Sequence, residues 1–322
     1  MKTKSNRFQL LIIYLVVLCS WFSYMSFNQS FNLFKDNWFM SLTMVFGSFI
    51  AGATSEGGGA VAFPVMTLVF NIDPLCARDF SLMIQTVGMG MASLSIYFMQ
   101  IPIPWKTIFK ISITGVIGIF FGLILLDGKI PAPYLKIFFT SFWLSFAYTL
   151  FKNSKHSSTI QKLEIKNKEL IHLFLLSFTG GLLTSFVGTG IDIIIFSYLT
   201  LYKKVDLKIA TPISVILMAI NSAAGFLCKS FLTHIPLQTE AINYFLVCIP
   251  VVIFGAPFGA YFIKNRSQIF IRNLLLTTLS LQYIYSFIIL KLNFIMILLS
   301  ITSTFIGLIL FSRMAKSNEE IL

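Results

Sequence analysis

Charge is scarce in this chain. Only 11% of its 322 residues are Asp, Glu, Lys or Arg, and the acidic ones number twelve. Typical soluble domains carry about 25% charged residues, so a soluble fold is excluded. Histidine is rarer still: His156, His172 and His234 do not cluster, and Cys19, Cys76, Cys228 and Cys248 show no C-x-x-C spacing. Neither a metal site, a disulfide framework nor a cofactor is expected. The chain has no G-x-x-x-x-G-K-[ST] stretch and no soluble domain, so nothing points to nucleotide hydrolysis. An embedded enzyme would want a metal cluster or a nucleophile beside a base, and the scattered His and Cys argue against one.

What remains is apolar. The chain is 57% hydrophobic with a mean hydropathy of +0.85, and apolar runs near 20 residues recur throughout. A hydrocarbon core of about 30 Å needs about 20 helical residues, so this reads as an all-α polytopic membrane protein. The net charge of +12 does not imply nucleic acid, because Lys and Arg sit in short loops between apolar runs. There they act as topology signals facing the cytoplasm. Lys2, Lys4 and Arg7 precede an apolar run from Phe8 to Phe27 that is too long for a signal-peptide core and lacks a small-x-small cleavage site. It reads as an uncleaved first span.

Two runs are too long. Phe39 to Phe70 and Leu170 to Leu201 each have about 32 residues. The first contains Gly52-Ala53-Thr54-Ser55-Glu56-Gly57-Gly58-Gly59. The second contains Gly180-Gly181 and Gly188-Thr189-Gly190-Ile191-Asp192. Glycine disfavours helix by about 1 kcal/mol relative to Ala, and Glu56 and Asp192 are carboxylates at membrane depth. Each run reads as two half-helices around an unwound hinge, buried in protein and lining a polar cavity.

The halves are copies. A shift of 133 positions pairs Gly47 with Gly180, Gly57 with Gly190, Asp73 with Asp206, Ala77 with Ala210, Ser81 with Ser214 and Gly122 with Gly255. Such matches at one offset indicate duplication. If the broken runs are re-entrant, eighteen Lys and Arg fall inside and six outside (Lys35, Arg78, Lys129, Lys136, Lys229, Lys291). If they cross, the count is fourteen against ten. The positive-inside rule favours the first arrangement. The expected fold is therefore eight full spans and two re-entrant hairpins, arranged as two inverted repeats. Each repeat holds a broken hairpin plus three spans, with one extra span at each end of the chain. The expected divisions are 1–38 (first span and loop), 39–151 (repeat 1), 152–169 (basic cytoplasmic loop), 170–290 (repeat 2) and 291–322 (last span and tail). Gly115, Gly118 and Gly122 have the small-x-x-x-small spacing of close helix packing.

The glycine triplet, Phe63-Pro64-Val65-Met66, Ala77 and Ser81-Leu82 resemble the TauE/SafE family of membrane permeases. So do Gly188-x-Gly190, Asp206-Leu207-Lys208, Ala210-Thr211 and Ser214 in the second copy, and Gly118 with Gly122. The resemblance covers roughly residues 40–290 and implies export or uptake of sulfite, sulfonates and related small anions. Glu56 and Asp192 depart from the family pattern, where apolar or small residues are usual, and point to a subgroup with a different substrate or coupling ion.

A half-helix beginning near the midplane presents free N–H groups and a positive dipole end, suited to an anion. The expected substrate site is Thr54, Ser55, Gly57, Gly58, Gly59, Gly188, Thr189 and Gly190; alternatively, these glycines only permit tight packing. Gln85 and Asn221 either donate to substrate or join helices. Glu56 and Asp192 must be paired, hydrated or protonated at membrane depth. They are expected either to couple transport to a proton or cation, or to cap half-helices. Arg78 and Asp79 are expected to pair with each other or with Asp73, and Asp73 and Asp206 to be helix N-caps. The leading function is a secondary transporter for a small anion, by resemblance a sulfur oxyanion or organosulfonate such as sulfite. An anion channel and a permease for a non-sulfur organic anion stay open. The expected partners are that anion, the lipid bilayer, a coupling proton or cation, and either no further subunit or a second copy. The expected location is a cell membrane, bacterial inner membrane by preference, with both termini cytoplasmic.

Overall fold

The computed structural model describes residues 2–57, 62–63, 65–127, 129–153, 165, 167–233, 235–290 and 292–316. Most of the 152–169 loop, the 317–322 tail, His156, His234 and Lys291 lie outside them. The structure is all-helical, 86% helix with no strand among the described residues. Its helices are α1 Lys2–Phe27, α2 Leu33–Ala53, α3 Pro74–Phe98, α4 Trp105–Leu125, α5 Ala132–Lys152, α6 Asn167–Val187, α7 Ile191–Ser197, α8 Leu207–Phe231, α9 Thr239–Lys264, α10 Gln268–Ile289 and α11 Phe294–Lys316.

Among the described residues seven segments are long and apolar enough to cross a membrane: Phe8–Phe27 of α1, α3, α4, Glu169–Val187 of α6, α8, α9 and α11. This differs from the eight full spans expected, which include 134–151 and 270–290 and treat α6 as half of a hairpin. α5 and α10 have spanning length, 21 and 22 residues. They fall outside the seven because inward-facing polar groups dilute them, such as the buried Lys136, Thr140, Ser141, Ser145 and Thr149 of α5. α3 and α8 bury 67% and 72% of their apolar windows, and α1 and α11 only 6% and 28%. The first pair is therefore the centre of the molecule, and the second pair its rim.

The 133-residue offset recurs in the elements. Wide π-helical turns close both broken runs, at Val65–Val69 and Tyr198–Tyr202. After each comes a residue in the left-handed region, Asn71 or Lys204, both at φ 52°. The chain is then held by the same backbone bond, Ile72 N–H to Met66 O and Val205 N–H to Leu199 O, both 2.9 Å. Asp73 caps α3 by accepting from Leu75 N–H and Cys76 N–H, with Pro74 at the first helical position. Asp206 caps α8 by accepting from Lys208 N–H. Short polar side chains are suited to this role, because they satisfy amides that the helix leaves unpaired.

The two most extensive interfaces exchange partners between halves: α2 packs on α9, and α4 on α6. Both rest on missing side chains. A Cβ at Gly118 would lie 2.1 Å from Phe178 O, and one at Gly259 would lie 2.1 Å from Phe49 O. The backbones touch where any larger residue would hold them apart. α1 lies along α9, with Trp21 Nε1–H donating to Leu246 O at 2.8 Å. α11 lies along α5, joined by the Ser141–Ser300 hydroxyl pair at 2.8 Å.

Candidate functional site

Both broken helices stop for local reasons. The Thr54 hydroxyl donates back to Ile50 O (2.9 Å) and accepts Glu56 N–H (3.3 Å), which turns the chain out of α2. Gly57 then takes φ 70°, a conformation that a side chain resists. In the second half α6 ends at Val187, and Gly188 takes φ 83°.

The two hinges meet. Thr189 Oγ1 donates to Asp192 Oδ2 at 2.7 Å and lies 3.0 Å from Glu56 O, which joins the first hinge to the second. Gln85, from the fourth turn of α3, donates through Nε2 to Gly188 O at 2.8 Å. A Cβ on Gly57 would sit 2.8 Å from Gln85 Oε1, 2.9 Å from Asp192 Oδ2 and 3.3 Å from Thr189 Oγ1. Thr54, Glu56, Gly57, Gln85, Gly188, Thr189, Gly190 and Asp192 thus form one cluster. Ser55 is buried beside it, its hydroxyl without a partner among the described residues. Asn221 sits a little apart. Its Nδ2 donates to Leu217 O, and its Oδ1 converges with Ile191 Cδ1 on the open face of Gly115. Gly58 and Gly59 lie outside the described residues.

The chemistry of the cluster differs from the expectation. The amides at the start of α7 are already bonded: Gly190 N–H to Asp192 Oδ1 (2.8 Å) and Ile191 N–H to Thr184 Oγ1 (3.2 Å). Asp192 is therefore an N-terminal cap of α7, and these donors face protein oxygen. Among the described residues, what stands without a partner is the Ser55 hydroxyl and an acceptor on each amide side chain, Gln85 Oε1 and Asn221 Oδ1. The described hinge is richer in oxygen than in free N–H.

Glu56 is fully buried. Two side chains one turn apart on α10 hold its carboxylate. The Thr278 hydroxyl donates to Oε1, and Gln282 Nε2 donates to Oε2 at 2.6 Å. No Lys or Arg pairs with Glu56 or Asp192 among the described residues. The sequence reading misses Thr278 and Gln282. Their one signal is an i, i+4 polar pair on an otherwise apolar helix face.

A second polar centre lies beside the hinges. Arg78, 2% exposed, donates from Nε and Nη2 to Asp79 Oδ1 (3.1 and 2.8 Å) and from Nη1 to Asp127 Oδ1. Lys229 Nζ donates to Asp127 Oδ2 at 2.6 Å. The expected Arg78–Asp79 pair is present, and the further partner is Asp127, not Asp73. Burial alone would raise the Asp127 carboxyl, but Arg78 and Lys229 outweigh it and hold the group below the ordinary carboxylate range. The cluster abuts the second hinge, since a Cβ on Gly188 would lie 2.6 Å from Ser81 Cβ and 3.3 Å from Arg78 O. Asp127 and Lys229 were legible only as ionisable residues near span ends, with nothing to say that they meet.

The sequence profile of a family described as "Sulfite exporter TauE/SafE" matches residues 39–286, more than half of the chain. No curated protein and no solved structure matches it.

Proposed function

This chain belongs to the TauE/SafE sulfite exporter family, and from that premise we propose that it is a secondary transporter which moves sulfite or a related small anion and couples that movement to a proton or cation at Glu56. The observation that carries the coupling is the environment of Glu56. Its carboxylate is fully buried, held by two neutral donors on α10 and paired with no cation among the described residues. At membrane depth an unpaired carboxylate costs at least about 2.5 kcal/mol, so it takes up a proton or a cation during part of the cycle. Asp192 contributes through Thr189, whose hydroxyl touches both hinges.

Alternating access needs two halves that rock about a fixed centre, and we read the fold as two inverted repeats with re-entrant hairpins. Three sets of contacts support that reading. Phe39, early in α2, packs against Phe70, just past the first broken helix, with tilted rings whose centroids are 4.4 Å apart. Glu169, at the start of α6, accepts from Lys203, just past the second, at 2.8 Å. Each broken helix thus returns to the side where it began. Arg78, near the start of α3, meets Lys229, near the end of α8, through Asp127, so these corresponding helices run in opposite senses. Lys264 reaching Met99 O, and Lys204 reaching Ala315 O, gather the Lys-rich segments at one face, which we assign to the cytoplasm.

The test is uptake of radiolabelled sulfite into proteoliposomes, with and without a pH gradient, comparing the native chain with Glu56→Gln. We expect gradient-driven uptake in the native chain and none in the variant. Equal gradient dependence in both would remove Glu56 from the coupling.

A further inference from the structure

Among the described residues three cationic side chains are buried: Arg78, Lys136 and Lys229. Two of them meet carboxylates. Lys136 does not. It is 4% exposed, and its ammonium donates to Thr67 Oγ1 at 2.9 Å and lies 5.3 Å from the centroid of the Phe63 ring. No Asp or Glu lies within ion-pair distance among the described residues. An ammonium needs three acceptors. Here one hydroxyl and one aromatic face replace the hydration that burial removed.

The same lysine lines a cavity of about 230 Å³, bounded also by Phe63, Thr67, Asn71, Asp73 and Leu290. Asn71 and Asp73 are exposed, whereas Phe63 and Lys136 are buried. The cavity therefore runs inward from the surface, with the ammonium at its inner end. Its walls are the closing turn of the first broken helix, the first turns of α5 and the end of α10. Leu290 stands just past that end, and Gln282, which holds Glu56, lies about 12 Å further along α10 at 1.5 Å per residue.

We propose that Lys136 forms the floor of an anion-binding subsite for a small monovalent oxyanion, at the mouth of the route to the Glu56 hinge. The ammonium supplies the charge, and the Thr67 hydroxyl is beside it. Asp73 lines the same cavity, but its Oδ2 accepts from Leu75 N–H, Cys76 N–H and Gln238 Nε2. Held there, it leaves one positive and one negative group in the cavity. That balance favours a singly charged anion over a doubly charged one. The subsite has no counterpart in the second half, where position 269 is Ile, so the two ends of the route differ chemically. At the hinges Glu56 and Asp192 meet no cation among the described residues, and Lys136 supplies the attraction for an anion that they lack.

This deepens the transport reading and rests on it for the route, though not for the binding. The experiment measures equilibrium binding of sodium methanesulfonate, hydrogen sulfite and sulfate to the purified protein in detergent by titration calorimetry. The chains compared are native, Lys136→Met, Lys136→Arg and Thr67→Val. Thermal unfolding without anion checks each fold. We expect saturable binding of the monovalent anions, weakened at least tenfold by Lys136→Met and severalfold by Thr67→Val, and retained by Lys136→Arg, with sulfate weaker throughout. If Lys136→Met does not fold, the loss in Thr67→Val decides. Undiminished binding in a folded Lys136→Met, or in Thr67→Val where that variant decides, would overturn the proposal, as would a native chain that binds none of these anions. Binding that depends on Lys136 without sulfite uptake in liposomes would keep the subsite and remove the transport reading. Uptake with native KM in Lys136→Met would do the reverse.

Discussion

At the residue scale, the buried ionisable groups are organised in opposite ways. Asp127 bridges two cations, so removing it takes away the carboxylate that Lys229 contacts and leaves only the more distant Asp79, itself paired with Arg78. Losing one partner of a buried pair costs about 3–5 kcal/mol, whereas replacing the whole pair with apolar groups is often neutral. We expect Asp127→Ala to lower thermal stability in detergent sharply, and Asp127→Ala with Lys229→Met to recover much of the loss. A double variant no more stable than the single one would show that Lys229 is solvated in place. The pH dependence has a definite sign. A carboxyl held below its unfolded value of about 3.9 stabilises above that pH and loses the contribution as pH falls through the depressed folded value. The Asp127 share of stability is thus constant near neutrality and disappears only in strong acid. Glu56 is a different case. Gln282→Leu leaves its Oε2 without a donor and should cost about 1–3 kcal/mol, the penalty for an unsatisfied buried polar group. Beside Glu56→Gln the cost should shrink, because the charge is gone. A double-mutant cycle in thermal unfolding measures that difference, and additive effects would mean that the two side chains do not act together.

At the scale of elements, glycine spacing decides how close helices come. Gly118→Ala puts a methyl 2.1 Å from a backbone oxygen of α6. Overpacking of this kind costs about 1–3 kcal/mol where the structure can yield, and here the obstacle is backbone. Gly90, in α3, has nothing within 4 Å of the position its Cβ would take. Gly90→Ala should be neutral or stabilising by up to about 1 kcal/mol. If both substitutions behave alike in unfolding assays, the α4–α6 contact is looser than described. These contacts also mark how far sequence reasoning reaches. The breaks in the two long runs, the caps at Asp73 and Asp206 and the offset of 133 are local signals, and each was readable from residue type and spacing. The partners of Glu56 and Arg78 were not. Thr278 and Gln282 are 222 and 226 residues from Glu56, and spacing along one helix carries no information about which helix it will face. The half-helix amides were expected to be free because the intrinsic geometry of a helix start leaves them so. Thr184 and Asp192 occupy them instead, by tertiary contacts that only the fold defines.

At the scale of the whole molecule, the orientation we propose from duplication and charge can be tested with two cysteines. Asn71 and Lys204 are equivalent positions with the same left-handed backbone. In an inverted pair they face opposite compartments. Without Cys19, the one exposed native cysteine, Asn71→Cys should react with an impermeant maleimide from outside, and Lys204→Cys only after the membrane is opened. Reaction of both from one side would make the repeats parallel. The structure also refines the charge count on which that orientation rests. Of the six basic residues assigned to the outer face, Arg78, Lys136 and Lys229 are buried. They are internal groups and not loop signals, so under the proposed orientation the asymmetry between the faces is steeper than the sequence alone suggests.

The exchange of partners between the halves has a consequence in time. Ser41 of α2 donates to Val247 O of α9, 206 residues later in the chain. At roughly 5–20 residues per second of synthesis, the first broken helix enters the membrane on the order of 10–40 s before the helix that covers it exists. During that interval the carboxylate of Glu56 has neither Thr278 nor Gln282. The nascent chain must shelter it in the insertion machinery, or keep the segment at the membrane surface until the second half arrives. Assembly of this protein is therefore late and all at once. Neither half is a domain in waiting.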